Sequence, residues 1–260
     1  MNLLIENASQ IVTCGTHGRK FKAGKHQSEI GLLKNASVYI ESGKIKWMGK
    51  KLPPSVKKKN IKKIDGYNKT ILPGFIDSHT HSVFAGSRAD EYSMRINGST
   101  YEEIAKAGGG ILSTVQSVRK ASKSELKKLA AVRIRSSIGF GVTTIEVKSG
   151  YGLNTAAEIK MLEVINGLAK ELPIDVYSTF LGAHTFAIEK SRDEYIDEII
   201  FDMIPQISKR RLAVFIDAFC EKNYFSVKDT IRIFEQGIKY GFTPKLHTNQ
   251  FYSIGVCRLL

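Results

Sequence analysis

A chain of 260 residues that is 42% hydrophobic can bury a substantial core, and no apolar run in it reaches the length of a bilayer-crossing helix. The net charge of +14 raises nucleic acid as a partner, but much of the excess sits in GKKLPPSVKKKNIKK at 49–63. That run lacks the aromatics and arginines that line nucleic-acid grooves and reads as a solvated connector. Cys14, Cys220 and Cys257 are odd in number, widely spaced and form no CxxC, and MNLLIENASQIVTCG lacks a basic, then long apolar, leader. A reducing cytoplasmic location is expected, with neither a membrane nor a nucleic acid as partner.

Residues 1–70 read as short strands. NLLIENA, ASVYIESGKIKWMGK and KKIDGYNKTILPG alternate in polarity between turn residues, and Ser42-Gly43 suits a hairpin turn between 37–41 and 44–48. From residue 71 the texture changes to apolar strands at 71–77, 142–147, 174–181, 212–219 and 243–248, separated by amphipathic helices. Ser122-x-x-Glu125 and Thr155-x-x-Glu158 are capping-box patterns. Val227, Ile231, Phe234 and Ile238 recur at helical spacing over 226–240, and Gly241 is a natural stop.

Strand–helix alternation predicts parallel β/α units. A dinucleotide-binding sheet should carry G-x-G-x-x-G after its first strand, whereas the glycines at 108–110 lie far from any strand end. Polar and ionisable residues gather where strands stop: His79 and His81, Glu146 and Lys148, His184, Glu221, and His247. Barrel enzymes build their sites at that rim, so an α/β fold of the (β/α)8 TIM-barrel type is expected. About five β/α units are present, over 71–260, behind a small N-terminal β-sandwich portion at 1–70.

Residues two apart on a strand share a face, so His79 and His81 aim into one volume. Taken alone, such a pair is either metal-binding or cavity-lining. His247 is placed to join it from across a barrel, and neutral imidazoles suit zinc and iron equally. Glu146 and Lys148 read as packing and rim polarity.

LPGFIDSHTH resembles the first barrel strand of the amidohydrolase superfamily. HTHSVFAGSRADEY, AGGGILSTV, GVTTIEVKSGYGL, STFLGAH and LHTNQF extend the resemblance, from about residue 2 to about 255, to the family that opens 4-imidazolone-5-propanoate to N-formimidoyl-L-glutamate in histidine degradation. The resemblance implies one zinc or iron ion per chain on His79, His81 and His247. It implies substrate contacts at Arg88, Tyr101, Tyr151, His184 and Gln250, a small carboxylate-bearing substrate, and a possible homodimer. An arginine suits Arg88's role, because a guanidinium grips a carboxylate with two parallel hydrogen bonds. Gln250 stands where some members carry Glu; an amide orients but cannot act as a base. No catalytic acid or base is assigned within the chain, because the family's further histidine and aspartate fall beyond residue 260. The chain is therefore expected to be truncated at its C-terminus and to show weak metal binding and no measurable turnover alone. Other cyclic amidases and nucleobase deaminases share the paired histidines, and GSR with KSGYGL favours a ring that carries a carboxylate.

Overall fold

The computed structural model describes residues 2–57, 60–100, 103, 104 and 109–256. It divides into two compact units, residues 1–74 and 75–260.

In the first unit, β1 (Asn2–Val12), β2 (Leu32–Glu41), β3 (Lys44–Gly49), β4 (Lys62–Asp65) and β5 (Thr70–Ile71) form one mixed sheet. The order is β3-β2-β1-β4, with β5 also paired to β1. Ser42 and Gly43 both take positive φ, the twist that a two-residue hairpin needs. A bulge between Ile5 and Ala8, with Asn7 at φ 60°, reverses the inward face of β1. Leu4 therefore packs with Tyr39 and Val56, whereas Ala8 and Ile11 pack with Ala36 and Val38. Both faces of this single sheet carry apolar side chains.

The second unit is built on five parallel strands: β6 (Phe75–Thr80), β7 (Val142–Lys148), β8 (Asp175–Ala183), β9 (Phe215–Phe219) and β10 (Thr243–His247). Their order in the sheet follows the chain, with β6 and β10 at its edges. At about 4.8 Å per strand a flat sheet would hold those edges roughly 19 Å apart. Yet His79 on β6 touches His247 on β10, with Nε2 atoms 2.9 Å apart. The sheet is curled into a half-barrel whose C-terminal rim draws its two edges together.

Helices cover the outside. These are α1 (Ala89–Ile96), α2 (Ile111–Lys120), α3 (Lys123–Gly139), α4 (Thr155–Glu171), α5 (Arg192–Asp197), α6 (Ile204–Lys209) and α7 (Val227–Lys239), with a π-helical turn (Glu198–Met203) joining α5 to α6. The main core lies between helices and sheet. Leu126, Ala130 and Ile134 form one row on α3, Met161, Leu162, Ile165 and Leu168 line α4, and Ile145, Val147, Phe180, Ile216 and Ala218 face them from the strands.

Three sequence expectations need correction. The strand around the paired histidines runs 75–80, not 71–77. Helix α4 is capped by Asn154, whose side chain accepts from the Ala157 N–H, so Thr155 and Glu158 do not form a capping box. The buried row of α7 is Thr230, Ile233 and Gly237, while Ile231 and Ile238 are exposed. Gly237 explains that rotation, since an added Cβ would stand 2.9 Å from Ile216 Cδ1. The helix lies against β9 on its smallest residue.

Candidate active site

The rim of β6 is irregular where it must be. Its pairing with β7 shifts between Asp77 and Thr80, and the Thr80 hydroxyl donates to the Glu146 carbonyl at 2.6 Å. Thr80 thus anchors the strand end while His79 and His81 turn toward the centre. One nitrogen each from His79, His81 and His247 lies within 4.8 Å of the others. On a single zinc, nitrogens at about 2.0–2.1 Å stand about 3 Å apart, so the spacing suits a shared ion.

Burial, then the neighbouring rings of His184, His247 and His79, push His81 down to about 2. Burial, His247 and Lys148 also lower His79, against the pull of Asp217 and Glu146. Both rings are neutral at physiological pH, as ligation requires. The His81 Nδ1 is buried and lacks a hydrogen-bond partner, which leaves a polar atom for a bound group to satisfy. The donor set fits a zinc or iron ion.

The expected substrate residues surround this cluster. Arg88, Tyr151, His184, His247 and Gln250 line one cleft of about 200 Å³, walled on its apolar side by Phe219, Tyr224 and Phe251. The His184 ring stacks on His81, with centroids 5.0 Å apart and planes 13° from parallel. Its Nδ1–H donates to the Gly150 carbonyl at 3.0 Å, and burial pushes it down to about 4 despite that bond. Tyr151 sits 5.4 Å from both rings. Tyr101 lies outside the described residues.

Buried or half-buried carboxylates hold these groups in place. Glu91 accepts from Arg88 Nε at 2.6 Å and from the Gly110 N–H at 2.9 Å. Gly110 takes φ 76°, ψ −152°, a conformation open essentially to glycine alone, which gives a glycine at that position a structural reason. Glu158 accepts from the N–H groups of Gly150, Gly152 and Leu153 at 2.7–3.0 Å and so clamps the loop that presents Tyr151. Burial pushes the Glu158 carboxyl up, against the pull of Ser149 and those three donors. Glu221 accepts from the N–H groups of Lys222, Gln250, Phe251 and Tyr252 at 2.9–3.3 Å, fixing the turn that carries Gln250.

Beneath the rim lies a chain of charges. Lys148 Nζ donates to Glu146 at 2.7 Å and to Asp217 at 2.8 Å, and Lys245 reaches the other Glu146 oxygen at 2.8 Å. Burial raises Asp217, but His247 and Lys148 outweigh it and hold the carboxyl down to about 2. Lys148 and Glu146 are thus the middle of an ion network rather than loose rim polarity. From the sequence, no such role is assigned to Asp217 or Glu91, and Glu158 is taken only as a capping partner. The first had a readable signal, an aspartate inside the apolar strand FIDAF.

Solved structures share this curled parallel sheet with its bordering helices. Guanine deaminase from C. acetobutylicum shares it at a TM-score of 0.55 and 17% identity, covering 95% of this chain and 52% of that one. 5-Methylcytosine deaminase from Klebsiella pneumoniae does so at 0.59 and 14%, covering 95% and 51%. No protein-family model matches the sequence. In sequence the chain is similar to imidazolonepropionases. It is 43% identical to the Clostridium tetani imidazolonepropionase over 263 aligned residues, and 40% identical to the Flavobacterium johnsoniae one over 258. These matches cover 99% and 98% of the chain, which spans 62% of the length of either relative.

Proposed function

We propose that the chain supplies the metal ligands and the carboxylate-gripping side of a hydrolase that opens the cyclic amide 4-imidazolone-5-propanoate to N-formimidoyl-L-glutamate, cleaving a C–N bond. The observation that carries this reading is the convergence of His79, His81, His247, Arg88, Tyr151, His184 and Gln250 on one rim, in a chain similar to imidazolonepropionases.

Arg88 stands at the cleft mouth with its Nε held by Glu91, which aims the guanidinium at the substrate's propionate. His184 donates through Nδ1 to Gly150, so its Nε2 is left as a hydrogen-bond acceptor for a ring N–H. Tyr151 and Gln250 orient the ring from either side, one by contact and the other through its amide. Phe219, Tyr224 and Phe251 exclude water from that face. A zinc or iron ion on the three histidines, one per chain, would polarise the ring carbonyl and acidify water for attack on it.

The same reading places the protein in the cytoplasm and takes residues 1–70 as part of a small β-sandwich. It also allows pairing of two copies.

The test compares the zinc-loaded chain alone with the chain extended by the part of the Clostridium tetani relative outside the match. Loss of the substrate's ultraviolet absorbance with formation of N-formimidoyl-L-glutamate is expected from the extended protein. It should disappear in His79→Ala, and the chain alone should give no more than a trace. Deamination of guanine or cytosine with no turnover of the imidazolone would sink the reading.

A further inference from the structure

We propose that Asp217 is a positioning residue that sets the tautomer of His247, so that Nε2 faces the His79–His81 pair as a lone pair rather than as an N–H. The inference rests on the metal reading of the three histidines and concerns a group that touches neither metal nor substrate.

The geometry leaves little freedom. Asp217 is 1% exposed, and among the described residues its two oxygens are met by donors. Oδ1 accepts from the Ala218 backbone N–H at 2.8 Å, and Oδ2 accepts from Lys148 Nζ at 2.8 Å. Oδ2 also lies 2.8 Å from His247 Nδ1. An ionised carboxylate only accepts, so that Nδ1 must carry the proton. In the neutral ring Nε2 is then the bare nitrogen, and it lies 2.9 Å from His79 Nε2. Lys148, itself 1% exposed and anchored on Glu146, balances the carboxylate's charge and fixes its plane. Carboxylate–histidine pairs of this kind orient metal-binding imidazoles, and losing the carboxylate costs about 10–100-fold in metal affinity.

The arrangement makes Asp217→Asn, a change of almost no volume, unusually informative. The Ala218 N–H needs an oxygen at Oδ1, so the amide NH2 must occupy the Oδ2 position. There it faces Lys148 and His247, and the imidazole can meet it only by giving up the Nδ1 proton. The proton moves to Nε2 and blocks the ligand position. Asp217→Ala merely leaves Nδ1 without a partner. The isosteric variant should therefore bind zinc at least as poorly as the truncated one, the reverse of what a packing role gives.

The experiment uses the 260-residue chain with 15N-labelled histidine. The wild-type ring nitrogens of His247, assigned by their loss in His247→Gln, should report Nδ1–H and bare Nε2 without metal once the pH is high enough for the ring to be neutral. Zinc titration of wild type, D217A and D217N should show affinity falling about 10-fold or more in both variants, with D217N no better than D217A. Thermal melts check that each variant folds, and if D217N does not, the wild-type spectrum still decides. A neutral wild-type His247 protonated at Nε2 rather than Nδ1, or D217N binding zinc within twofold of wild type, overturns the proposal. A wild-type chain that shows Nδ1–H but whose zinc affinity is unchanged by His247→Gln overturns the metal reading and, with it, the purpose assigned to the bond.

Discussion

Single side chains in this protein work largely through the backbone they hold. Glu158 is the clearest case, a fully buried carboxylate whose bonds go to three backbone N–H groups of the Tyr151 loop. Its tight fit shows at Gly152, where an added Cβ would come within 2.5 Å of the Glu158 backbone nitrogen. Truncation to alanine strands three N–H donors, each costing about 1–3 kcal/mol when buried without a partner. Glu158→Ala should therefore lower stability by about 3 kcal/mol or more in urea unfolding, with Glu158→Gln in between because one amide oxygen remains. A loss below about 1 kcal/mol in the alanine variant would show that water replaces the clamp. At this scale the sequence was readable where chemistry is local. His79 and His81 declare themselves by a two-residue spacing on one strand. Asp217 could not be matched to His247 without knowing that β9 and β10 are neighbours in register, Phe219 opposite His247.

Elements are joined at their ends by charges whose sense depends on pH. Glu198, in the π-helical turn after α5, accepts from the Thr155 N–H at 3.1 Å and hydroxyl at 2.9 Å at the start of α4, and pairs with Lys190 at 2.6 Å. Burial raises its carboxyl, but Lys190 and Thr155 prevail and hold it below the ordinary 4.5. The folded value lies under the unfolded one, so the native state binds fewer protons in mild acid. Stability from Glu198 is complete above about pH 4.5 and is lost as pH falls through the folded value. Glu198→Gln should lower stability near neutral pH and flatten the acid side of a stability–pH curve; an unchanged slope would remove Glu198 from the account. The elements themselves were legible to different degrees. Strand–helix alternation and the hairpin at Ser42-Gly43 follow from local periodicity. The face of α7 did not, because Ile231 and Ile238 make a convincing apolar row, whereas the packed row turns on Gly237, a residue that hydrophobicity cannot flag.

Across the whole half-barrel, His79 belongs to the first strand of the sheet and His247 to the last, so an ion there joins the two edges directly. Zinc should therefore stabilise the second unit by up to about 2.7 kcal/mol at a hundredfold excess over its dissociation constant. Amide exchange should slow at β6 and β10 together and stay unchanged in the N-terminal sheet. Equal slowing everywhere, or none at β10, would argue that the ion sits elsewhere. The curl itself was inferred from the residues clustered at strand ends, and it is the joined rim rather than any strand that gives those residues a common centre.

His79 and His81 are two positions apart, while His247 lies 168 positions from His79. A growing chain therefore exposes a two-imidazole chelate long before its third arm has been made. At about 5–20 residues per second, synthesis leaves an interval on the order of ten to thirty seconds between them. On the metal reading, the first pair would meet the cell's free-ion supply throughout that interval, and selection among ions would begin only when His247 arrives.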